Sequence, residues 1–359
     1  MIHFHPLVIK EVRQETEDCV SLAFDVPEEL KDTFSFMQGQ SLTMRTKLEG
    51  EEVRRTYSLC SSPLDNEWRV AIKKVNGGLF SSYANKKLRK GDVLEVMPPV
   101  GKFNTPLNPE QQKHYVAIAA GSGITPILSI INTTLRTEPE SKFTLVYANR
   151  TRASIIFKEE LEALKNKFMS RFTMHHILSR EQPDAPIYYG RIDEEKCELL
   201  FTRLIDLNRS DEFFVCGPEQ MIFCVKDFLL KKGVDKSHIH FELFTIPGEK
   251  SSVASPSRKP PTNEGPKSSI SVKLDGVLFD FELSNQGQSI LDAALAQGAD
   301  LPFACKGGVC CTCRAKLVEG EVEMDVNYGL EEDEIQQGFI LTCQSHPRTP
   351  KVVVDFDVR

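Results

Sequence analysis

Long apolar runs are missing from this chain of 359 residues. Stretches such as "HYVAIAA" and "FFVCG" fall far short of the roughly 20 residues that a bilayer-spanning helix needs. The opening "MIHFHPLVIKEV" carries no apolar core of the secretory-leader kind. No membrane association is therefore expected, and the expected location is cytoplasmic. A surplus of positive charge is missing as well: 44 Lys and Arg stand against 51 Asp and Glu, a net of -7, with no basic stripe. That balance argues against nucleic acid as a partner. There is no internal repeat. At this length two or three domains of the usual roughly 100 to 200 residues are expected.

Cysteine, by contrast, is plentiful, with ten in the chain. In a reducing compartment they are not expected to form a disulfide framework, so clustered spacing reads first as metal binding or redox chemistry. Four of them fall within "LPFACKGGVCCTCRAKL", residues 301–317. Cys305, Cys310 and Cys313 are spaced C-x4-C-x2-C, and Cys343 follows after 29 intervening residues. This is the ligand spacing of a plant-type 2Fe-2S cluster, in which one tight loop and one remote anchor supply four thiolates. The glycines of "CKGGVC" suit a backbone that wraps closely and aims N–H groups at sulfur. Two other readings of the same thiols are buried free cysteines and a zinc site. Zinc usually shows paired C-x2-C knuckles, whereas here there is a single triple and a distant cysteine. Cys311 is spare, and Cys19, Cys60, Cys197 and Cys224 are expected to be core or incidental.

Residues 249–268, "EKSSVASPSRKPPTNEGPKS", are rich in Ser, Pro and charge and bury little, which predicts a flexible linker. Ahead of it, "CVSLAFDV", "QSLTMRTKL", "WRVAIKKV" and "VLEVM" predict an antiparallel barrel. "HYVAIAAG", "KFTLVYANR", "RFTMHHILSR" and "EFFVCGP" alternate with helical stretches, "ASIIFKEELEALKNKF" and "EQMIFCVKDFLLKKG" among them. That alternation predicts an open parallel sheet with ligands at the carboxyl ends of its strands. After the linker come a hairpin ("ISVKLDGVLFDFEL"), a helix ("SILDAALAQGAD") and a closing strand ("KVVVDFDV"). From Ile270 onward seven Lys and Arg meet fifteen Asp and Glu. Eight of those acids, and no base, lie in "EGEVEMDVNYGLEEDE" (319–334). This run is either a docking patch for a basic protein surface or a solubilising face.

With its cysteines, the region 270–359 resembles a plant-type ferredoxin. The front of the chain resembles the ferredoxin-NADP reductase family. "RRTYSLCSS" holds Arg55, Tyr57 and Ser58 in that family's flavin motif: a guanidinium for the pyrophosphate, a ring to stack on the isoalloxazine, and a hydroxyl for its N5. "AIKK", with Ile72 and Lys73, resembles the strip beside the flavin ring. "GGLFSSY" resembles a phosphate turn, with Gly78, Ser81 and Ser82 facing phosphate at a helix start. "AAGSGITPILSI" follows a strand and opens a helix, placing Gly121, Gly123, Thr125 and Pro126 where a pyrophosphate would meet a helix N-terminus. Cys216, Gly217 and Pro218 resemble the Cys-Gly-Pro beside the nicotinamide. In "HFELF", Glu242 and Phe244 match residues that approach nicotinamide and flavin in relatives.

"YANRTR" supplies Arg150 and Arg152 without an acid, and "LSREQ" supplies Ser179 and Arg180, a pair that resembles that of NADP-specific members. NADPH is therefore favoured over NADH, since a ribose phosphate needs cations and NAD tends to meet a carboxylate. The resemblance implies a multidomain oxidoreductase. Its parts are an antiparallel β-barrel flavin domain (1–108), an α/β parallel-sheet nucleotide domain (109–246), a linker (247–268) and an α+β ferredoxin domain of β-grasp type (269–359). FAD is favoured over FMN. Electrons would pass from NADPH through the flavin and the 2Fe-2S cluster to a partner oxygenase. Ser58, Cys216 and Glu242 are the expected catalytic side chains, and Cys305, Cys310, Cys313 and Cys343 the expected cluster ligands. Related reductases serve different oxygenases, Rieske and steroid hydroxylases included. A non-catalytic electron carrier is the other function considered.

Overall fold

The computed structural model describes residues 3–244 and 265–358, so the expected linker lies mostly outside the described residues. The front of the chain forms six strands: β1 (His5–Thr16), β2 (Cys19–Asp25), β3 (Ser41–Leu48), β4 (Glu51–Ser58), β5 (Trp68–Lys73) and β6 (Val93–Val96), with α1 (Leu79–Lys86) after β5. They make one sheet in the order β4-β3-β6-β1-β2-β5. Strand β2 is buried from Cys19 to Phe24 and β5 from Trp68 to Ile72, as expected of β-branched and aromatic side chains on a pleated, covered surface. Past the end of β4, Leu59 bridges Val70 of β5, which brings the two ends of the sheet together. Strands β1 and β4 were not among the predicted strands. Polar residues hide them, and β4 ends in the flavin motif itself.

The second sheet is wholly parallel, as expected, and built from β7 (His114–Ala120), β8 (Lys142–Asn149), β9 (Phe172–Leu178), β10 (Glu212–Cys216) and β11 (Ile239–Glu242). Its helices are α2 (Ile124–Thr137), α3 (Lys158–Lys167), α4 (Glu194–Arg203) and α5 (Glu219–Lys231). The order β11-β10-β7-β8-β9 means that the chain builds outward from β7 and then returns to the opposite side. The switch point, where such sheets open a crevice for ligands, falls between β7 and β10. Helix α3 is shorter than "ASIIFKEELEALKNKF" predicts. Arg152–Ser154 form a 3-10 turn, and Phe157 is left-handed (φ 58°), so the helix starts only at Lys158. The apolar residues Ile155, Ile156 and Phe157 enter the core from the connecting loop.

The C-terminal region has β12 (Lys267–Leu274), β13 (Val277–Ser284), α6 (Ile290–Ala296), β14 (Arg314–Glu319), β15 (Val322–Met324), α7 (Glu332–Gln336), β16 (Phe339–Leu341), β17 (Ser345–Pro347) and β18 (Lys351–Asp355). A five-stranded sheet runs β13-β12-β18-β14-β16, and β15 pairs with β17 separately. Strand β18 lies at the centre, parallel to β12, where it joins the opening hairpin to β14. Helix α6, capped by Ser289 on the Asp292 amide, buries Ile290, Leu291 and Ala294. Since β12 begins at Lys267, the last two residues of the expected linker are strand.

The chain groups into two compact units, and the division does not follow the expected boundary between flavin and ferredoxin domains. Residues 43–56, the β3–β4 hairpin, group with 3–5 and 265–358, while 6–42 and 57–244 form the other unit. The physical reason is a set of side-chain contacts between the hairpin and residues 300–312, described below.

Backbone proximity sets the switch point. A Cβ on Gly123 would stand 2.1 Å from the carbonyl oxygen of Cys216. Gly123→Ala is therefore expected to cost about 1–3 kcal/mol, as overpacking does. Thermal unfolding of the variant, with NADPH titration of the folded protein, checks this: a lower transition temperature and weakened nucleotide binding are the expected results.

Candidate cofactor sites

In the unit holding 6–42 and 57–244, the carboxyl ends of β7 and β10 face each other. Gly121 (φ +54°) and Gly123 form a short 3-10 turn that leads into α2. Thr125 bonds back to the Ser122 carbonyl at 3.0 Å, and Pro126 occupies the first turn, where no amide hydrogen is needed. Opposite, Pro218 caps α5, with Met221 and Ile222 donating to its carbonyl. A Cβ on Gly217 would meet Met221 Cε at 2.7 Å and Ala120 Cβ at 3.0 Å. Two sequence motifs about a hundred residues apart thus share one glycine-lined cradle at a helix N-terminus. This fits a dinucleotide pyrophosphate.

Beside this cradle, Ser58 donates to Glu242 Oε2 at 3.0 Å, and Glu242 lies in register with Cys216 across β10 and β11. Burial raises the Glu242 carboxyl to about 7, and the Ser58 hydrogen bond opposes that shift. Part of the residue still reaches solvent, while its carboxylate is enclosed. Burial, and secondarily the Glu242 charge, push the Cys216 thiol well above its usual range, so it stays protonated. Phe244 is 43% exposed and is not a core residue.

Tyr57 lies against Phe80 with ring centroids 5.7 Å apart. The Ile72 carbonyl accepts from Asn85 Nδ2 at 2.9 Å, and Lys73 pairs with Asp18 at 3.6 Å. Asn85 was not among the predicted residues. It stands one helical turn after Ser81, and its Nδ2 also bonds the Ser81 carbonyl. That pattern leaves Asn85 Oδ1 buried without a partner among the described residues, an acceptor suited to a bound group beside the Ile72–Lys73 strip. The phosphate turn differs in detail from the expectation. The Ser81 hydroxyl accepts from Val75 N at 3.1 Å, and the Ser82 amide donates to Gly78 O at 3.0 Å as the first helical bond. Both groups are engaged in forming the turn. Gly78 holds it, since a Cβ there would sit 2.5 Å from Ser81 Oγ.

At the ends of β8 and β9 the backbone pairing continues. Ser179 N donates to Asn149 O at 3.0 Å and Arg180 N to Arg150 O at 2.8 Å, so Arg150, Ser179 and Arg180 come together. The absence of an acid, read from "YANRTR", does not survive folding. Glu181 accepts from Arg152 N at 2.8 Å and pairs with Arg152 Nε at 3.2 Å. Arg152 is therefore partnered by a carboxylate although it is exposed, as Arg150 and Arg180 also are.

Arg55 belongs to the other unit. It is exposed on β4 and donates to the Arg54 carbonyl at 2.7 Å. In the same unit the four cysteines fall into two pairs. Hydrogen bonding within each pair lowers one thiol and raises the other: Cys305 falls to about 6 while Cys310 rises, and Cys343 falls while Cys313 rises. Backbone donors converge on these sulfurs. Gly307 N reaches Cys305 Sγ at 3.3 Å and Cys305 N reaches Cys310 Sγ at 3.5 Å. Gln344 Nε2, which sequence reading missed although it follows a ligand directly, reaches Cys343 Sγ at 3.5 Å.

Among the described residues no three His, Cys, Asp or Glu side chains converge as they would on one ion. Two thiol pairs with N–H donors fit two irons better than a single zinc. The spare thiol of Cys311 donates to Gly329 O at 2.8 Å. The acidic run is also less bare than its sequence suggests. Glu319 pairs with Lys351, Glu323 with Arg348, Asp325 with His346, and Glu334 with Arg314. Half of the eight acids thus meet bases from distant strands and turns, which weakens the docking-patch reading.

Comparison with known proteins agrees with this layout. Residues 6–105 match the oxidoreductase FAD-binding domain, 117–227 the oxidoreductase NAD-binding domain, and 272–348 the 2Fe-2S iron-sulfur cluster binding domain. The chain is 46% identical to one subunit of the 1,2-phenylacetyl-CoA epoxidase of Escherichia coli K12, over 100% of this chain and 99% of that one. It is 33% identical to the ferredoxin reductase component of the 3-ketosteroid-9-alpha-monooxygenase of Rhodococcus rhodochrous, over 98% and 96% of the two chains. The fold resembles that of phthalate dioxygenase reductase, with a TM-score of 0.59 at 24% identity over 98% of each chain. No helix among the described residues is long and apolar enough to cross a membrane. The chain belongs to the family of FAD- and NAD-binding oxidoreductases with a C-terminal 2Fe-2S domain that serve as reductase components of oxygenases.

Proposed function

We propose that this chain takes electrons from NADPH and delivers them singly to the oxygenase component of a phenylacetyl-CoA epoxidase in phenylacetate breakdown. The partner is argued from the full-length likeness to the epoxidase component of Escherichia coli. The chemistry rests on one observation above all, the Ser58–Glu242 hydrogen bond beside the Cys216 and Gly123 turns. When bound, the nicotinamide supplies a hydride, the flavin holds two electrons, and the cluster passes them on one at a time. The chain's own residues bind, orient and move protons. Tyr57 supplies a ring face for the isoalloxazine and Arg55 a cation for the pyrophosphate. Gly78, Ser81 and Ser82 shape the turn under the phosphates, and Ile72 and Lys73 line the ring. Ser58 can donate toward the flavin N5 and exchange a proton with Glu242, whose carboxyl is poised to hold one near neutral pH.

On the nucleotide side, Gly121, Gly123, Thr125 and Pro126 cradle the pyrophosphate with Gly217 and Pro218. Cys216 packs near the nicotinamide as a neutral thiol, and Phe244 is exposed for a ring contact. Arg150, Ser179 and Arg180 receive the ribose phosphate, which supports NADPH over NADH, while Arg152 steadies the loop through Glu181. Cys305 and Cys310 would hold one iron, Cys313 and Cys343 the other. We take 1–108, 109–246 and 269–359 as the functional domains joined by a linker at 247–268. A cytoplasmic location suits a chain whose ten cysteines form no disulfide. Mixing the pure protein with purified epoxidase and, separately, with a Rieske oxygenase tests the partner: NADPH-driven turnover only with the latter would overturn the assignment.

Cys343→Ser should abolish the cluster's visible absorption while flavin reduction by NADPH continues; loss of both together would show that the two centres are not separately built. Arg180→Ala should raise the KM for NADPH about tenfold or more, the worth of a charge-assisted contact, and change that for NADH far less. Steady-state kinetics with the two nucleotides checks it, and equal effects would remove the phosphate-binding role.

The proton on Glu242 has its own signature. The folded chain keeps it up to about pH 7, the unfolded chain only to its ordinary value of 4.5. The folded state then binds more protons between these limits, and stability falls as pH rises through that window. Glu242→Gln should therefore gain stability relative to the wild type between pH 5 and pH 8. Paired thermal unfolding at those two pH values measures it, and a constant difference would mean that the carboxyl ionises normally.

A further inference from the structure

Arg54 is 6% exposed and lies on β4 one residue before the flavin-motif Arg55. Each of its three nitrogens has an acceptor. Nε donates to Glu52 at 2.7 Å, Nη1 to the Leu301 carbonyl at 3.2 Å, and Nη2 to Asp300 Oδ1 at 3.2 Å. The guanidinium also lies over the Phe303 ring, 4.0 Å from its centroid, with Phe4 at 5.0 Å. Neighbouring groups repeat the pattern. Arg45 stands 3.6 Å from Asp300 and 4.0 Å from the Phe4 centroid, and the hydroxyls of Thr43 and Thr312 are 3.4 Å apart. Residues 300–303 lead into Cys305, and Thr312 immediately precedes Cys313. Both ends of the cluster loop are thereby held by the β3–β4 hairpin.

Stability alone does not account for this arrangement. Asp300 is 72% exposed, so its ion pair with Arg54 is screened and contributes little. A buried guanidinium carries a desolvation cost that a well-packed apolar residue would avoid. What the guanidinium supplies is direction. Its planar fork takes acceptors along fixed vectors and stacks on an aromatic face, which an ammonium group cannot reproduce.

We propose that Arg54 is a positioning residue for electron transfer: it fixes the loop carrying Cys305–Cys313 to strand β4, which carries the flavin-motif Arg55. The proposal rests on the flavin-to-cluster reading above. Each transfer takes one electron from a reduced flavin and places it on an oxidised cluster, and its rate depends on how the two groups are held. The side-chain contacts of Arg54 among the described residues are with Glu52, Asp300, Leu301, Phe4 and Phe303, none of which belongs to the nucleotide motifs, so hydride delivery is expected to be independent of it.

The test uses the full chain loaded with FAD and cluster and mixed rapidly with NADPH. Flavin bleaching and cluster reduction are followed separately. In Arg54→Met, flavin reduction and turnover with ferricyanide, which oxidises reduced flavin directly, should match the wild type. Cluster reduction should slow about tenfold to a hundredfold, the scale of an ångström-level misplacement, with both midpoint potentials unchanged. Arg54→Lys, which retains the charge without the fork, should be slowed as well, and it carries the test if the methionine variant fails to hold its cofactors. Cluster reduction at the wild-type rate in these variants, or flavin reduction slowed in step with it, overturns the positioning role. A wild-type chain whose flavin is reduced while its cluster stays oxidised would instead overturn the reductase reading, and the positioning role with it.

Discussion

The nucleotide half of this molecule depends on one close approach of backbone to backbone. Gly123, at the turn after β7, sits so near the Cys216 carbonyl at the end of β10 that no side chain fits between them. Parallel strands supply the direction, because both end at the same edge of the sheet and their loops must share the space above it. Once the two turns are in contact, the rest of the local arrangement follows. Helix α2 presents its N-terminus, α5 starts at Pro218, and Cys216 is aligned with Glu242 on the neighbouring strand. The Ser58–Glu242 hydrogen bond then ties the flavin motif to the same edge. A side chain at position 123 would disturb all of these at once, although glycine itself contributes no chemistry.

How much of this could be read beforehand depended on how local the signal was. The 2Fe-2S domain was legible because Cys305, Cys310 and Cys313 lie within nine residues at the plant-type spacing, with Cys343 as the distant fourth of that pattern. The parallel sheet was legible because apolar strands alternate with amphipathic helices. Strands β1 and β4 were not, since charged residues punctuate both and pairing with neighbours holds them in place. The start of α3 was misread because "ASIIF" has helical composition, while a left-handed Phe157 and the demand for apolar cover place it in a loop.

Long-range pairings were the least visible. Nothing in "RRTYSLCSS" announces that Ser58 will bond a glutamate 184 positions away. Nothing in "YANRTR" shows that Glu181 will neutralise Arg152, because the pairing of β8 with β9 creates that contact. The acidic run at 319–334 loses half of its bareness in the same manner, through bases supplied by strands and turns that fold beside it. The grouping of residues 43–56 with the C-terminal region belongs to this class as well. Sequence separation conceals such contacts because a charge has no periodicity to betray its partner.

The tether on Cys311 has a further consequence. The loop 301–317 carries four cysteines, of which the expected cluster set uses three, with Cys343 as the fourth ligand, so Cys311 is the sulfur left over. Cys311 adopts a left-handed backbone (φ 53°) and gives its hydrogen to the Gly329 carbonyl, and a side chain at 329 would collide with its sulfur. A thiol so occupied is a poor competitor for metal. The fold thus occupies the spare thiol through Gly329, a residue that stands in the sequence between Cys313 and Cys343.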